Sequence, residues 1–412
     1  MAVFPLELKL RILDELRCIS PDALHPTMSL VWPDAIEYIR RAVFQSLVLR
    51  SSCHIGHRIS NILAFPENLT AHANTIRVWE HGSDVGRITS NSPFYSLLER
   101  LQNLHTLTLS GVVYSWIPAP HQMTFESVCA ARIVNLDLRS CFFQALDFGR
   151  LLVGMRHLKT LSISCLTFLS REGVRQGHPD FPVLHAPKPC LDVLNITIQT
   201  PHDNTILELL NDGPRSPISL GALRKLSIVG GYWNGQLQRV VDRTQETLQA
   251  IELDSMRARP IFDFTALDSD LSPRLRLEEF HVKFDLREVS YFAKRNVPFD
   301  INSVRPFLQD CVESVKTLRF TFVLFNMAYG MKPVDVIPPA LGPLLADFPA
   351  LKLRINLVLD QVEDAAKMEV AALETMKERV PELHRQWFEG GYAPGRLTVS
   401  MQCGEDPSIP PL

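Results

Sequence analysis

The sequence predicts an α/β chain in which most of the length winds as a solenoid. Short parallel strands line its concave side, helices its convex side, and a small all-α module precedes it. Three observations predict this. A six-residue apolar pattern returns again and again along the chain at nearly constant spacing. Several of the segments between its copies have helical periodicity instead. The first 50 residues read as helices instead.

The pattern places apolar residues at its first, fourth and sixth positions. Its copies are Leu104, Leu107, Leu109; Ile133, Leu136, Leu138; Leu158, Leu161, Ile163; Leu191, Leu194, Ile196; Leu223, Leu226, Ile228; Leu248, Ile251, Leu253; Leu277, Phe280, Val282; and Val315, Leu318, Phe320. Weaker copies lie at Ile76 and Val78, and at Ile355 and Leu357. Each ends in period-two alternation, which a short strand with one buried face requires: Leu107 and Leu109 point inward, Thr106 and Thr108 outward. Taking the middle apolar position, the register runs 76, 107, 136, 161, 194, 226, 251, 280, 318, 355. The steps, 25 to 38 residues, sit at or above the upper end of leucine-rich repeats, about 20–29 residues, with loops taking up the excess.

Between strands the period becomes helical. Ser92-Pro93 starts a helix before Leu97, Leu98 and Leu101, with proline at a favoured first position. Asp203 caps a helix carrying Ile206, Leu207, Leu209 and Leu210, which Gly213 stops. Asn302 or Ser303 opens another, with Val304, Phe307, Leu308, Cys311 and Val312 on its apolar side. A repeat cannot bury its apolar face alone, so the array must be capped. A long helix from Asp360 to Glu389 (Val362, Ala366, Met368, Val370, Leu373, Met376, Val380) and a last strand, Leu397–Met401, form the expected cap. The expected domains are thus a helical module at 1–50, a solenoid at 51–402 with its cap at 360–402, and a solvated, proline-bearing tail at 403–412.

In the opening segment Leu6, Leu8, Leu10, Ile12, Leu13 and Leu16 follow Pro5, with Glu7, Asp14 and Glu15 on the polar side. After a break at Ser20-Pro21 come Met28, Leu30, Val31, Trp32 and Pro33. A second helix, Asp34 to Phe44, carries Ile36, Ile39, Val43 and Phe44 beside Arg40 and Arg41, and the segment ends in Ser46–Leu49. The run from Phe4-Pro5-Leu6-Glu7 to Ile12-Leu13 and Leu16, with Ser29-Leu30-Val31-Trp32 and the Phe44 to Leu49 ending, resembles an F-box, the adaptor-binding module of ubiquitin-ligase receptors. With the repeats behind it, the chain resembles the fungal group of F-box/leucine-rich-repeat proteins. The likeness implies a substrate-recognition subunit of an SCF-type ligase that meets a Skp-type adaptor, and through it a cullin, while holding a target protein on the solenoid. Pro5, Leu8, Ile12, Leu13, Leu30, Val31 and Trp32 are the residues it assigns to the adaptor. The family's Cys-x-x between the positions of Val31 and Trp32 is missing, a loss of about three residues or nearly one helical turn. Two alternatives therefore stay open: an interaction scaffold that recruits no ligase, and a receptor for a small ligand on the concave face.

The outward strand residues are the expected target surface: Arg77, Asp137, Arg139, Lys225, Glu252, Asp254, Glu279, His281, Lys283 and Arg319, with Thr108, Ser162 and Asn195 among them. Their mixed charge suits a protein epitope of complementary charge. Lys plus Arg is 42 and Asp plus Glu 45, a net charge of −3, so no basic surface argues for nucleic acid or an anionic membrane. No apolar run reaches the ~18 residues of a membrane span, and the opening residues lack the charge and cleavage pattern of a secretory signal. Eight cysteines without a CxxC pair suit a reducing compartment, the cytoplasm or nucleus. Asn68 and Asn195 head chance glycosylation sequons. Cys53, His54 and His57 read as a loop, for two histidines need further ligands to hold zinc. Cys141 and Cys165, just after strands, read as packing residues. No phosphate loop, dinucleotide fingerprint or nucleophile elbow occurs. The expectation is a non-enzyme with no cofactor and no metal.

Overall fold

A computed structural model describes residues 44–52, 54–169, 187–198, 204–211, 215–230, 235–255, 277–285, 315–325, 351–360 and 397–403, with the single positions 9, 41, 213, 348 and 350. The chain divides into two compact units, Met1–Cys190 with Asp212–Ser219 and Leu191–Asn211 with Leu220–Leu412. Both are α/β, and every strand pairing within each is parallel.

In the first unit the main sheet runs β1 (Ser46–Arg50), β2 (Thr75–Trp79), β3 (Thr106–Ser110), β4 (Asn135–Arg139) and β6 (Thr160–Ser164). Leu47, Ile76, Leu107, Leu136 and Leu161 stand in one register row, and Leu49, Val78, Leu109, Leu138 and Ile163 in the next. All ten are buried, as period-two alternation dictates. Ser46–Arg50, assigned from the sequence to the end of the helical module, is therefore a sheet strand: its Leu47 and Leu49 alternate like the repeats and pair with Ile76 and Val78. A minor sheet pairs β5 (Phe142–Phe143) with β7 (Thr167–Phe168).

Helices fill the connections: α1 (Ile55–Leu63), α2 (Ser92–Arg100), α3 (Ala119–Arg132) and α4 (Ala145–Gly154). Pro93 stands in the first turn of α2, where its missing N–H costs nothing. The loop expected around His54 and His57 is instead the start of α1, because Ile55 and Ile59, four apart, are both buried and supply its apolar face. Cys53 lies outside the described residues. An aromatic stack adds to the core: Tyr114 lies on Phe143 of β5 at 5.0 Å, and Phe143 meets Phe148 of α4 edge-on.

Two features fix the strand ends. Three strands turn away through a left-handed residue one position past their ends: Gly111 after β3, Ser140 after β4, Cys165 after β6. Cys141 is thus one step further on than Cys165. Its thiol is buried among the carbonyls of Leu109 and Arg139, and burial pushes it up to about 12. The packing role expected of both cysteines fits Cys141; Cys165 is the bend residue. After β2, the carboxylate of the wholly buried Glu80 accepts the backbone N–H groups of Gly86, Ile88 and Thr89 at 2.7–2.8 Å and the Thr89 hydroxyl. A buried charge needs such a full shell of donors.

The second unit orders β8 (Val193–Thr197), β9 (Lys225–Val229), β10 (Ala250–Ser255), β11 (Glu279–Asp285), β12 (Thr317–Phe325), β13 (Lys352–Asp360) and β14 (Leu397–Cys403). Two helices, α5 (Asn204–Asn211) and α6 (Gly235–Thr244), pack against each other. In α5, Ile206, Leu207, Leu209 and Leu210 are buried, and Gly213 has positive φ; Asp203 lies outside the described residues. The register row is Leu194, Leu226, Ile251, Phe280, Leu318, Leu353 and Leu397. The last repeat is therefore centred on Leu353, not on Ile355, which pairs with Phe320. The strand is longer than the motif, so alternation alone allowed a slip of two residues. Asp360, expected to begin a helix, is the last residue of β13, and Cys403, expected in the tail, closes β14. The helices expected at 302–312 and 361–389, and the tail at 404–412, lie outside the described residues.

Candidate functional site

Strand alternation that buries the leucines turns the intervening side chains to the opposite, outward face of each sheet. In the second unit those outward residues gather into a cavity of about 380 Å³ lined by Lys225, Ala250, Ile251, Glu252, Glu279, His281, Lys283, Arg319, Thr321, Asn356 and Val358. Six of the residues expected to bind a target line it, and a seventh, Asp254, backs it.

The register explains the assembly. Glu252, His281 and Arg319 stand directly opposite one another on β10, β11 and β12, and Asp254, Lys283, Thr321 and Asn356 do the same two residues along. Long side chains then reach straight across or diagonally to a partner. Lys225 Nζ lies 2.7 Å from Glu252 Oε2, Lys283 Nζ 3.2 Å from Asp254 Oδ2, and Arg319 Nη2 3.3 Å from Glu279 Oε1. The Lys283 side chain is only 6% exposed, and Asp254 supplies the countercharge that such burial demands.

His281 sits at the centre. Its Nε2 is 2.9 Å from Thr321 Oγ1, and its Nδ1 is 3.6 Å from Glu252 Oε1. Asn356 Nδ2 donates to the same Thr321 Oγ1 at 3.3 Å, and the hydroxyl's bond to His281 Nε2 takes its direction from the ring tautomer. Burial pushes His281 from its ordinary value down to about 4, with Arg319 and Lys225 adding to the fall and Glu252 and Glu279 opposing it. Burial alone would raise Glu252, but the hydrogen bond and charge of Lys225, with His281 and Lys283, hold its carboxyl below the usual range. At neutral pH the network is thus a neutral imidazole among formed ion pairs.

The remaining expected target residues, Arg77, Asp137 and Arg139, lie on the outward face of the first unit. They do not form a comparable cluster. Asp137 and Arg139, two apart on β4, bind each other at 2.7 Å, and Arg77 is exposed opposite Thr108 on β3. The adaptor-binding set, Pro5, Leu8, Ile12, Leu13, Leu30, Val31 and Trp32, lies outside the described residues. Thr321, Asn356 and Val358 were not picked out from the sequence. Thr321 follows Leu318 by three positions, as Lys283 follows Phe280, so extending the outward alternation past the six-residue motif finds it; Asn356 needed the corrected register at Leu353.

Among the described residues no helix is long and apolar enough to cross a membrane. Compared with known proteins, the chain matches no family model and no curated relative.

Proposed function

We propose that the chain is a target-recognition subunit of an SCF-type ubiquitin ligase, its repeats being irregular leucine-rich repeats and its opening segment an F-box. In this reading Pro5, Leu8, Ile12, Leu13, Leu30, Val31 and Trp32 dock a Skp-type adaptor, which links the chain to a cullin. The outward sheet face holds a target protein, and the chain itself does no chemistry. It raises the target's effective concentration near the ubiquitin being transferred, in the cytoplasm or nucleus. The observation that carries the reading is the charged cavity on an open face of parallel repeat strands, a surface made for grasping polar groups rather than for packing. Its charged lining suits a protein epitope and counts against an apolar small ligand.

The test is co-purification of a Skp-type adaptor with the full chain, with a chain lacking residues 1–50, and with the Ile12→Asp, Leu13→Asp double variant. Only the intact wild type should retain the adaptor. If wild type fails to bind at micromolar concentration, the ligase reading is withdrawn. The scaffold reading, which the three missing residues before Trp32 favour, then takes its place: a folded repeat array that holds a partner and ignores the adaptor.

A further inference from the structure

The sheet of the second unit ends on β14. Strands β9 to β13 are each paired on both sides, whereas β14 pairs with β13 alone among the described residues. Alternate residues of a paired strand direct their N–H and C=O groups to opposite sides, so half of the β14 backbone groups point out of the sheet edge. Such an edge is a template for another strand, and proteins blunt it with charge, proline or a bulge. The seven residues of β14 contain no charge and no proline, and their register with β13 runs without a bulge from Leu353 opposite Leu397 to Leu359 opposite Cys403. By contrast β9 to β13, which have no free edge, each carry at least one charged residue.

The strand's own sequence says what fits the edge. Apolar residues stand at its odd positions, from Leu397 to Cys403, and polar ones at the even positions between. In an antiparallel pair, directly opposite residues share a face. Laid antiparallel on a second β14 about a twofold axis through Ser400, Leu397 faces Cys403, Thr398 faces Gln402, Val399 faces Met401 and Ser400 faces its own copy. All seven residues are then matched, polar with polar and apolar with apolar. A slip of one residue sets polar against apolar, and a slip of two leaves the ends unpaired. The flanking charges point the same way. Arg396 comes just before the strand, and Glu405 and Asp406 come shortly after it. Antiparallel pairing brings the basic end of one copy to the acidic end of the other, whereas parallel pairing sets like against like.

We propose that β14 is an interface with a second copy of this chain, the two strands pairing antiparallel about a twofold axis through Ser400. The contact is closed, so assembly stops at two. The axis stands normal to the sheet, which places the outward faces of both copies on the same side. The two His281 rings, each three strands in from the interface, are then roughly 34 Å apart along the sheet. On the reading of this face as the target surface, the pair offers two cavities to a target with two epitopes and raises its effective concentration. The pairing itself depends neither on that reading nor on the adaptor, so the two proposals stand or fall separately.

The test is sedimentation velocity of the full-length chain, reduced, from micromolar to near-millimolar concentration, with circular dichroism to check the fold of each variant. A reversible monomer–dimer equilibrium is expected. Ser400→Lys sets two ammonium groups face to face at the axis and should raise the dimer dissociation constant about fivefold. Ser400→Cys gives an independent reading, because directly opposite Cα atoms lie about 4.5–5.5 Å apart, a span that a disulfide bridges. On mild oxidation this variant should form a covalent dimer in excess of the wild-type background. Thr398→Cys, which faces Gln402, should not, but should crosslink when mixed with Gln402→Cys. The proposal fails if wild type stays monomeric throughout, or if it grows beyond two copies, as pairing of β14 with β1 of a further copy would give. It fails equally if a folded Ser400→Lys chain associates as wild type does, or if Ser400→Cys crosslinks no more than Thr398→Cys.

Discussion

In the first unit the outward positions of β3 are Thr106, Thr108 and Ser110, and those of β6 are Thr160, Ser162 and Ser164. The matching positions of β10, β11 and β12 in the second unit hold Glu252 and Asp254, Glu279, His281 and Lys283, and Arg319 and Thr321. The backbone arrangement is the same: parallel strands, one register, leucines inward. What differs is side-chain reach. A hydroxyl on a short stem bonds its nearest neighbour, as Asn135 Nδ2 does with Thr106 Oγ1 at 3.0 Å, and fills its own space. A lysine, glutamate or arginine spans to the next strand or diagonally beyond it, and the space framed by those crossing pairs is the cavity. The sheet thus places its charged cavity by the composition of a few outward positions, with no change of fold. Strand length adds to the difference, for the main-sheet strands of the first unit have five residues while β12 and β13 have nine.

The left-handed bends allow the sharpest comparison of the two units. Gly111 and Gly230 both have φ +73 and both follow a strand, but a Cβ on Gly111 would come 1.6 Å from the Glu80 carbonyl oxygen, and one on Gly230 2.7 Å from that of Ile198. Both alanine variants incur the cost of the left-handed conformation, about 1–2 kcal/mol. Gly111→Ala must also displace the backbone at Glu80, the residue whose carboxylate holds the loop through Thr89. Gly111→Ala should lower stability by about 4 kcal/mol and Gly230→Ala by about 2 kcal/mol, read as urea midpoints. Equal losses would show that the closer approach at Gly111 costs no more than the one at Gly230.

Acid separates the units in a second way. His281 is neutral in the folded chain, with its value depressed from 6.5 to about 4. The unfolded chain binds that proton first, so stability is complete above pH 6.5 and falls as the pH drops through the window between 6.5 and about 4. The loss is on the order of 3 kcal/mol. His281→Asn should remove this slope from the pH dependence of Tm, whatever it does to the absolute value. Lys225→Met tests the network from the other side: Glu252 loses its strongest partner and is no longer held below the usual range, so the variant should be less stable than wild type at neutral pH and lose less stability on acidification. A slope unchanged in His281→Asn would mean that another group titrates there.

Much of this was legible before any coordinates. Alternation of Leu107, Leu109 and their counterparts fixed which face was buried, because a strand offers only two faces. Aligning Ile251, Phe280 and Leu318 also put Glu252, His281 and Arg319 in one row, since in-register parallel strands carry equal offsets to neighbouring positions. The helices α1, α3 and α4 were not legible. The apolar residues of α3, such as Phe125, Val128 and Cys129, make so weak a face that tertiary packing rather than pattern decides its conformation. The strand at Ser46–Arg50 carries the repeat pattern as Phe44, Leu47 and Leu49, but the helical periodicity of the residues before it runs up to Phe44 and blurs the boundary. The cavity was hidden for a different reason. Its volume depends on side chains two strands apart failing to meet, and no local pattern records an absence of contact.

The smallest expected effect returns to the bends. Nature has placed glycine at 111 and 230 but serine at 140 and cysteine at 165, with φ of 49 and 54. Neither side chain escapes the left-handed penalty. Ser140 is exposed, and what holds it is the bond from its N–H to the Ser164 carbonyl at 2.8 Å, which any residue provides. Ser140→Gly removes the strain, gives back part of the gain as unfolded-chain entropy, and should stabilise by about 0.5 kcal/mol. Cys165 is half-buried, and its sulfur lies 3.7 Å from Ser164 Oγ, so Cys165→Gly relieves the same strain but forfeits burial, and its net change should lie near zero. If both variants gained equally, side-chain burial at 165 would be irrelevant. If Ser140→Gly lost stability, the strain argument would fail for the bend it describes most simply.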